Sequence, residues 1–457
     1  IFKLKLKKNG IYAMKPNIFL VIIDSLRSDK ITNNQKTDLF FNFNQFIHES
    51  SFFSQAISAS DGTNVSLGSI FTGEHPFNHK ITWYQNYSNA KKGLNILKNN
   101  GYKMFATLPD MPFFETLTSD FDDKELVSDS PYMRIFEGFG EKIISKLNSI
   151  KNTTPWFYYT HIMDLHTSKK LPDEFLENNN GEDSWNQRLS IIDTWFGKIL
   201  EKIDLKNTIV VLTADHGEFD HDLDVDFGEM PKLQNFLKHF KSKLPQSIES
   251  AGVKSFEYIR ENKRKRSLEK HKKSLNRQEI RNISSRGSDQ LFDDVLRIPL
   301  GFSGFGIKKN IITQQVRHVD ILPTILDITG IKHNQKFDGT SLLPLFNNEK
   351  IEELPAYLES IPNMNHELGN SVGLRTTQYK YFRSRKNSNE NLHLYNLILD
   401  PKETNNIANE NPKLVSELEE KLVNIQNNSI SSNNTEKMSE EKIAKAKQIL
   451  KELGYDK

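Results

Sequence analysis

The chain has 457 residues, enough for about two to four ordinary domains or for one large and one small. Hydrophobic residues are 36% and mean hydropathy is −0.59, so the chain is soluble on average yet able to bury a sizeable core. The 61 Lys and Arg against 59 Asp and Glu leave +2, which argues against a strongly basic nucleic-acid binder and against an acidic tail. There is no cysteine, which removes disulfide scaffolds, thiolate zinc sites and cysteine nucleophiles.

In chain order, residues 1–14 read as an N-terminal extension that alternates apolar and basic residues and lacks the apolar centre of a signal peptide. Met14 is an alternative start. No run reaches the roughly 18–20 apolar residues of a membrane span, so the expectation is a cytoplasmic protein without one. Ile18–Ile23 (IFLVII) is a short, continuous, β-branched apolar run that ends at Asp24, as in a strand buried on both faces of a parallel sheet. Trp156–Thr160 leads in the same way into His161, and Thr208–Leu212 into Thr213, Asp215 and His216. Between these two, Leu189, Ile192, Trp195 and Ile199 recur at helical spacing. Strands alternating with helices predict an α/β doubly wound sheet flanked by helices. Sites in such sheets form at the carboxyl ends of strands.

The pattern breaks over about 226–288, a polar, basic stretch with KRKR at Lys263–Arg266, expected to be a helical insertion. It resumes at Val295–Phe302 and Val319–Leu326, giving a catalytic α/β domain over 15–348. Ala356–Ser360, Ser371–Leu374, Tyr379–Ser384 and Leu392–Asn396 then predict a small antiparallel sheet, followed by a helix at Pro412–Gln426. These make a C-terminal subdomain over 349–430, and 431–457 is expected to be a helical tail.

Polar residues gather at the predicted strand ends: Asp24; His161, Asp164 and His166 in HIMDLH; Asp215 and His216 in ADHGE, with His221 close behind. Each has an ordinary structural explanation, an Asp as a helix cap or a His as a packed core residue. Converging on one crevice, carboxylates and imidazoles suit a divalent cation such as Mg, Mn, Ca or Zn. Residues 58–79 (SASDGTNVSLGSIFTGEHPFNH) are crowded with hydroxyls and open a helix, offering a nucleophile and backbone N–H groups for an anion.

PNIFLVIIDSLRSD, the hydroxyl segment ending FTGEHPFNH, HIMDLH, VVLTADHGE, RHVDILPTILDITGI with FDGTSLLPLF, and LRTTQYKYF with LYNLILDPKETNNIA occur in the order of the sulfatase family. The chain therefore resembles that family, part of the alkaline phosphatase superfamily, over roughly residues 16–425, and the resemblance implies that the doubly wound sheet is mixed in direction. The resemblance implies that Asp24, Asp215 and His216 hold the metal, with Ser25 where a second acid is usual. In sulfatases the nucleophile opens a C/S-x-P-x-R signature nine residues before a Thr-Gly pair; counting back from Thr72 reaches Thr63, without the Cys or Ser, the Pro or the Arg. Threonine is not converted to formylglycine. It resembles instead the threonine nucleophile of sulfatase-like phosphoglycerol and phosphoethanolamine transferases. The lysine and histidine of the GKWH block are absent after Gly101-Tyr102. Asn78 and Thr107 resemble polar contacts in the phosphonate monoester hydrolases of this family, and His221, as a substrate contact, and His318 are further histidines of interest.

The expected enzyme is a metal-dependent sulfuric or phosphoric ester hydrolase. Asp24, Thr63, Asp215 and His216 hold the cation, Thr63 attacks, His161 protonates the leaving alcohol and His166 assists. Its substrate is an anionic ester, a sulfated or phosphorylated small molecule, glycan or lipid. Two alternatives remain open at this level: a phosphoryl transferase acting on a lipid or glycan, and an inactive binding protein of the same fold.

Overall fold

The run IFLVII forms the centre of strand β1 (Asn17–Ile23), and every residue of that strand is buried. The structure, a computed structural model, describes residues 15–32, 40–82, 85, 87–127, 134–166, 184–219, 291–361, 370–427, 441 and 444. Its other large-sheet strands are β2 (Ser51–Ile57), β3 (Lys103–Pro109), β4 (Asp123–Val127), β5 (Trp156–Ile162), β6 (Thr208–Thr213), β7 (Arg297–Gly304), β8 (Asn310–Ile312) and β9 (Val316–Arg317). Among the described residues these nine order as β4-β3-β5-β1-β6-β7-β2-β8, with β9 also paired to β2. From β4 to β6 the strands run parallel. β7 runs antiparallel to both β6 and β2. This is the mixed α/β sheet the sequence predicts.

β1 lies between β5 and β6, with Ile22 opposite His161 on one side and Thr213 on the other. That register brings three polar strand ends side by side. A strand hydrogen-bonded along both edges and covered on both faces gives an unpaired charge no solvent, and from Ile18 to Ile23 β1 is wholly apolar, so charge begins only where it stops, at Asp24.

Four helices frame the strand ends and the C-terminal sheet. α1 (Phe41–Glu49) has its first amides tied from outside: Phe43 N donates to Asp193 Oδ1 (2.6 Å) and Asn42 N to Oδ2 (3.2 Å). Asp193 belongs to α3 (Ser184–Leu200), the predicted helix, whose Leu189, Ile192 and Ile199 are buried and whose Phe196 stacks on Phe43 at 5.1 Å. α2 (Thr63–Thr72) is the hydroxyl-rich segment, and it ends at Gly73, where φ of +68° and an αL-type bond to Ser69 O call for glycine. α4 (Pro412–Asn427) belongs to the C-terminal part.

There, β10 (Ala356–Glu359), β11 (Ser371–Arg375), β12 (Tyr379–Ser384) and β13 (His393–Asn396) form the expected antiparallel sheet. Tyr357, Val372, Leu374, Tyr381 and Leu394 share a core with Leu418 and Leu422 of α4. Buried ion pairs join this sheet to the segment preceding β7. Arg375 forks onto Asp293 (Nε–Oδ1 2.9 Å, Nη2–Oδ2 2.8 Å), and Lys380 reaches both Asp293 and Glu403. Burial opposes ionisation of Asp293, but Arg375 and Lys380 hold its carboxyl far below the usual range. Breaking such a group on one side only leaves a buried charge uncompensated.

The chain divides into two units, Ile1–Glu218 with Asp289–Lys457, and Phe219–Ser288. Apart from Phe219, the second unit lies outside the described residues, as does the predicted insertion. The predicted tail does too, except for Glu441 and Ala444. No helix among the described residues is long and apolar enough to cross a membrane.

Two histidines behind α2 are built in neutral. His79 lies where a side chain on Gly68 would stand, accepts Ile81 N–H on Nδ1 (3.0 Å) and meets Ser69 Oγ with Nε2 (3.2 Å). Burial, then Lys92, lowers it to about 3. His75, between Phe77 and Tyr357, is pushed well down by burial, then by Arg317 and His79. The unfolded chain takes up these protons below about pH 6.5 and the native state does not, so stability is complete above that pH and falls toward pH 3. Urea titrations from pH 7 to 4 are expected to show this fall. His79→Gln should reduce its slope by about 1.4 kcal/mol per pH unit, one proton's worth. An unchanged slope would mean His79 is protonated in the fold.

Candidate active site and metal centre

Asp24 follows β1, His161 lies in β5, Asp215 and His216 follow β6, and Thr63 begins α2. One ligand atom each from Asp24, His161 and Asp215 lies within 4.8 Å of the others, and all three residues are buried. His161 Nε2 is 3.5 Å from Asp24 Oδ2 and 3.8 Å from Asp215 Oδ2. His216 Nε2 is 3.7 Å from Asp215 Oδ2. The Thr63 hydroxyl is 3.4 Å from Asp24 Oδ2 and 3.4 Å from His216 Nε2.

Ser25 sets the outer sides of both carboxylates. Its φ of +62° is unusual for a residue with a Cβ. The N–H donates to Asp215 Oδ1 (3.2 Å) while the hydroxyl donates to Asp24 Oδ1 (2.7 Å). His216 N donates to Asp215 Oδ1 as well (2.8 Å). Both Oδ1 atoms are therefore occupied and both Oδ2 atoms face inward. Asp215 Oδ2 is buried and takes no hydrogen bond from the described residues.

His216 Nδ1 lies 2.7 Å from Gly217 O. A carbonyl only accepts, so Nδ1 carries a proton, and Nε2 is the nitrogen turned inward, its lone pair available once the ring is neutral. Gly217 must be glycine, because a Cβ would stand 2.3 Å from Asp294 O. Burial and then the Asp24 charge push the Asp215 carboxyl above its ordinary range. Burial opposes the charged form of His216, yet Asp215 and Asp24 outweigh it and lift the ring to about 9. Two buried carboxylates, an orphaned inward oxygen and an oriented imidazole fit a divalent cation, which would cancel the repulsion between them. Asp24, His161 and Asp215 could each offer it one ligand atom, with His216 and the Thr63 hydroxyl beside them.

Of the expected site residues, the structure brings together Asp24, Thr63, His161, Asp215 and His216. The expected contacts Asn78 and Thr107 make local hydrogen bonds. Asn78 Nδ2 donates to Asp338 Oδ2 (2.7 Å). Thr107 is interior to β3, where its Oγ1 accepts from Tyr158 and its carbonyl from Thr160. Asp164 accepts Ile135 N–H (2.9 Å), and burial raises it to about 7 despite that bond and Arg134. His166 ends a single turn, Asp164–His166, and His221 lies outside the described residues.

Three supports stand behind these residues: His318 and Ser58, both within stretches the sequence singles out, and Arg27, which is not itself marked there. His318 Nε2 donates to Ala214 O (3.0 Å) while Nδ1 accepts Ala59 N–H (3.4 Å), so the ring ties the Asp215 loop to the start of the hydroxyl segment. Ser58 Oγ lies 2.7 Å from Asp215 O and 2.9 Å from Ser66 Oγ of α2. Arg27 forks onto Asp29 and pairs with Asp294 (2.6 Å), beside the Gly217 N–H that donates to Val295 O (2.8 Å).

The family model Sulfatase matches residues 16–331, and N-sulphoglucosamine sulphohydrolase, C-terminal, matches residues 289–428. The chain belongs to the sulfatase family. Arylsulfatase K of Mus musculus is 34% identical over 144 residues, 30% of this chain and 26% of that relative. The chain thus spans about a quarter of that relative's length. The phosphonate monoester hydrolase of Agrobacterium radiobacter superposes with a TM-score of 0.63 at 13% identity, over 93% of this chain and 100% of that one. Ps i-CgsB in complex with k-i-k-neocarrahexaose superposes with a TM-score of 0.62 at 16% identity, over 97% and 100%. At those identities the likeness is one of fold, and it agrees with the architecture expected from the sequence.

A carboxyl held above its ordinary range costs stability once rising pH forces it to ionise. At pH 8 and with chelator present, Asp215→Asn, which keeps the Oδ1 acceptor, should raise the melting midpoint by roughly 2–4 °C. It should also abolish any stabilisation by added divalent ions. Melting curves with and without metal check both; a lower chelated midpoint would contradict the electrostatic account.

Proposed function

We propose that this chain is a divalent-metal-dependent ester hydrolase that uses the Thr63 hydroxyl as nucleophile on an anionic phosphate, phosphonate or sulfate ester. The observation that carries this reading is the Thr63 hydroxyl, 3.4 Å from Asp24 Oδ2 and 3.4 Å from His216 Nε2. A bound divalent ion supplies Lewis-acid polarisation and favours the alkoxide of the hydroxyl it touches.

Everything else is done by the chain itself. Asp24 and His216 hold the Thr63 oxygen at the start of α2, where first-turn N–H groups have no intrahelical acceptor and face a developing anion. Thr63 Oγ1 bonds to the central phosphorus or sulfur as the bond to the leaving alcohol oxygen breaks, and that oxygen takes up a proton. Water then attacks the same central atom and returns the threonine hydroxyl. A threonine ester has no hemiacetal route to breakdown, so this second step is a displacement, which favours phosphorus over sulfur. The phosphonate monoester hydrolase among the structural neighbours supports the phosphorus reading. The neocarrahexaose held by another brings glycan esters into the substrate class.

Thr63→Ala is expected to lower kcat at least about 10³-fold with metal content retained. Initial rates on matched aryl phosphate, phosphonate and sulfate esters, with metal analysis of both proteins, check this. Retained turnover would remove Thr63 as nucleophile, and faster sulfate hydrolysis would contradict displacement on a threonine ester. Chelation should abolish turnover reversibly.

A further inference from the structure

This inference rests on the reading that the strand-end cluster holds a divalent ion, and concerns which ion and through which atoms. Ser25 brings no carboxylate to the centre, and its N–H and hydroxyl both donate to the outer oxygens of the two aspartates. What fills the remaining side of the ring is an imidazole. His161 is fully buried, and its Nε2 lies between Asp24 Oδ2 and Asp215 Oδ2 at 3.5 and 3.8 Å. Its ring is fixed from behind: Nδ1 is 2.9 Å from the Tyr159 hydroxyl, and the Phe114 ring packs 5.0 Å away. A phenol oxygen accepts as well as donates, so it accommodates the Nδ1–H tautomer that leaves the Nε2 lone pair facing the carboxylates.

We propose that His161 is a metal ligand rather than the proton donor to the leaving group, and that the resulting centre of two imidazoles, two carboxylates and one hydroxyl selects zinc over calcium and magnesium. Calcium takes six to eight oxygens, and magnesium keeps waters in an octahedron of oxygens. Imidazole nitrogen suits zinc, which accepts mixed nitrogen and oxygen sets of low coordination number. The proton-bearing edge of a leaving-group acid has to face the substrate. The edge of His161 faces two buried carboxylates.

The test is calorimetric titration of the chelated full chain with zinc, calcium and magnesium chlorides, together with X-ray absorption of the zinc-loaded protein. Wild type should bind zinc at least about 100-fold more tightly than calcium, with two imidazoles in the absorption spectrum. His161→Gln should lose at least about 10-fold in zinc affinity, change little toward calcium, and show one imidazole. Tyr159→Phe keeps the ligand and removes its orienting partner. It should weaken zinc about 10-fold, so the inference stays testable if His161→Gln fails to fold. Calcium binding as tight as zinc, one imidazole in wild type, or unchanged zinc affinity in both variants would overturn the inference while leaving a metal site in place. A folded wild-type protein that binds none of the three ions would overturn the metal reading beneath it.

Discussion

Two carboxylates that repel each other, buried at the ends of β1 and β6, are the constraint around which the rest of this molecule is arranged. Asp24 and Asp215 have no solvent to screen them, and the Asp24 charge reinforces burial in lifting Asp215. A fold tolerates this only where something else gains from it. Ser25, strained at φ +62°, fastens the outer oxygens, while His161, His216 and Thr63 close around the inner ones. The result is a poised charge pair whose natural complement is a small, doubly charged ion.

The sheet and its surroundings hold that pair in place. Parallel register of β1 with both β5 and β6 levels the three strand ends, so no single loop has to reach for the centre. His318 braces the Asp215 loop against the hydroxyl segment, while Asp294 and Val295 meet Arg27 and Gly217 from the other side. The C-terminal sheet takes part as well. Glu359 N donates to Ala59 O (3.0 Å) and Ile361 N to Asp61 Oδ1 (2.6 Å), just ahead of Thr63. The position of Thr63 thus depends on contacts some 300 residues away in sequence. This explains physically why the small sheet belongs with the large one.

Some of this was legible in the chain. IFLVII, WFYYT and TIVVL announce buried parallel strands because a continuous apolar run of that length has few other uses, and the polar residue ending each run marks the crevice. The C-terminal strands were equally plain. β2 (SFFSQAI), β3 (KMFATLP) and β4 (DKELV) were not, since their mixed patterns fit helix, strand or loop, and pairing alone decides. At the site, spacing and resemblance pointed to Asp24, Thr63, Asp215 and His216. The direction of His161 could not be read, because it depends on β5 register and on Tyr159 behind it. Ser25 looked like a lost ligand until its backbone conformation showed what its two donors do. Asn78 and Thr107 were drawn from resemblance, and the sequence could not show that Asn78 Nδ2 meets Asp338 or that Thr107 Oγ1 meets Tyr158.

Everything turns on whether the strand ends of β1, β5 and β6 hold an ion against the start of α2. The most direct measurement is anomalous diffraction from crystals of the metal-loaded protein, collected on both sides of the metal absorption edge. The account predicts one strong peak about 2.0–2.3 Å from Asp24, Asp215 and His216 donor atoms, and within reach of the Thr63 hydroxyl. A fully loaded crystal whose peak lies elsewhere, with Thr63 outside the coordination sphere, would contradict it.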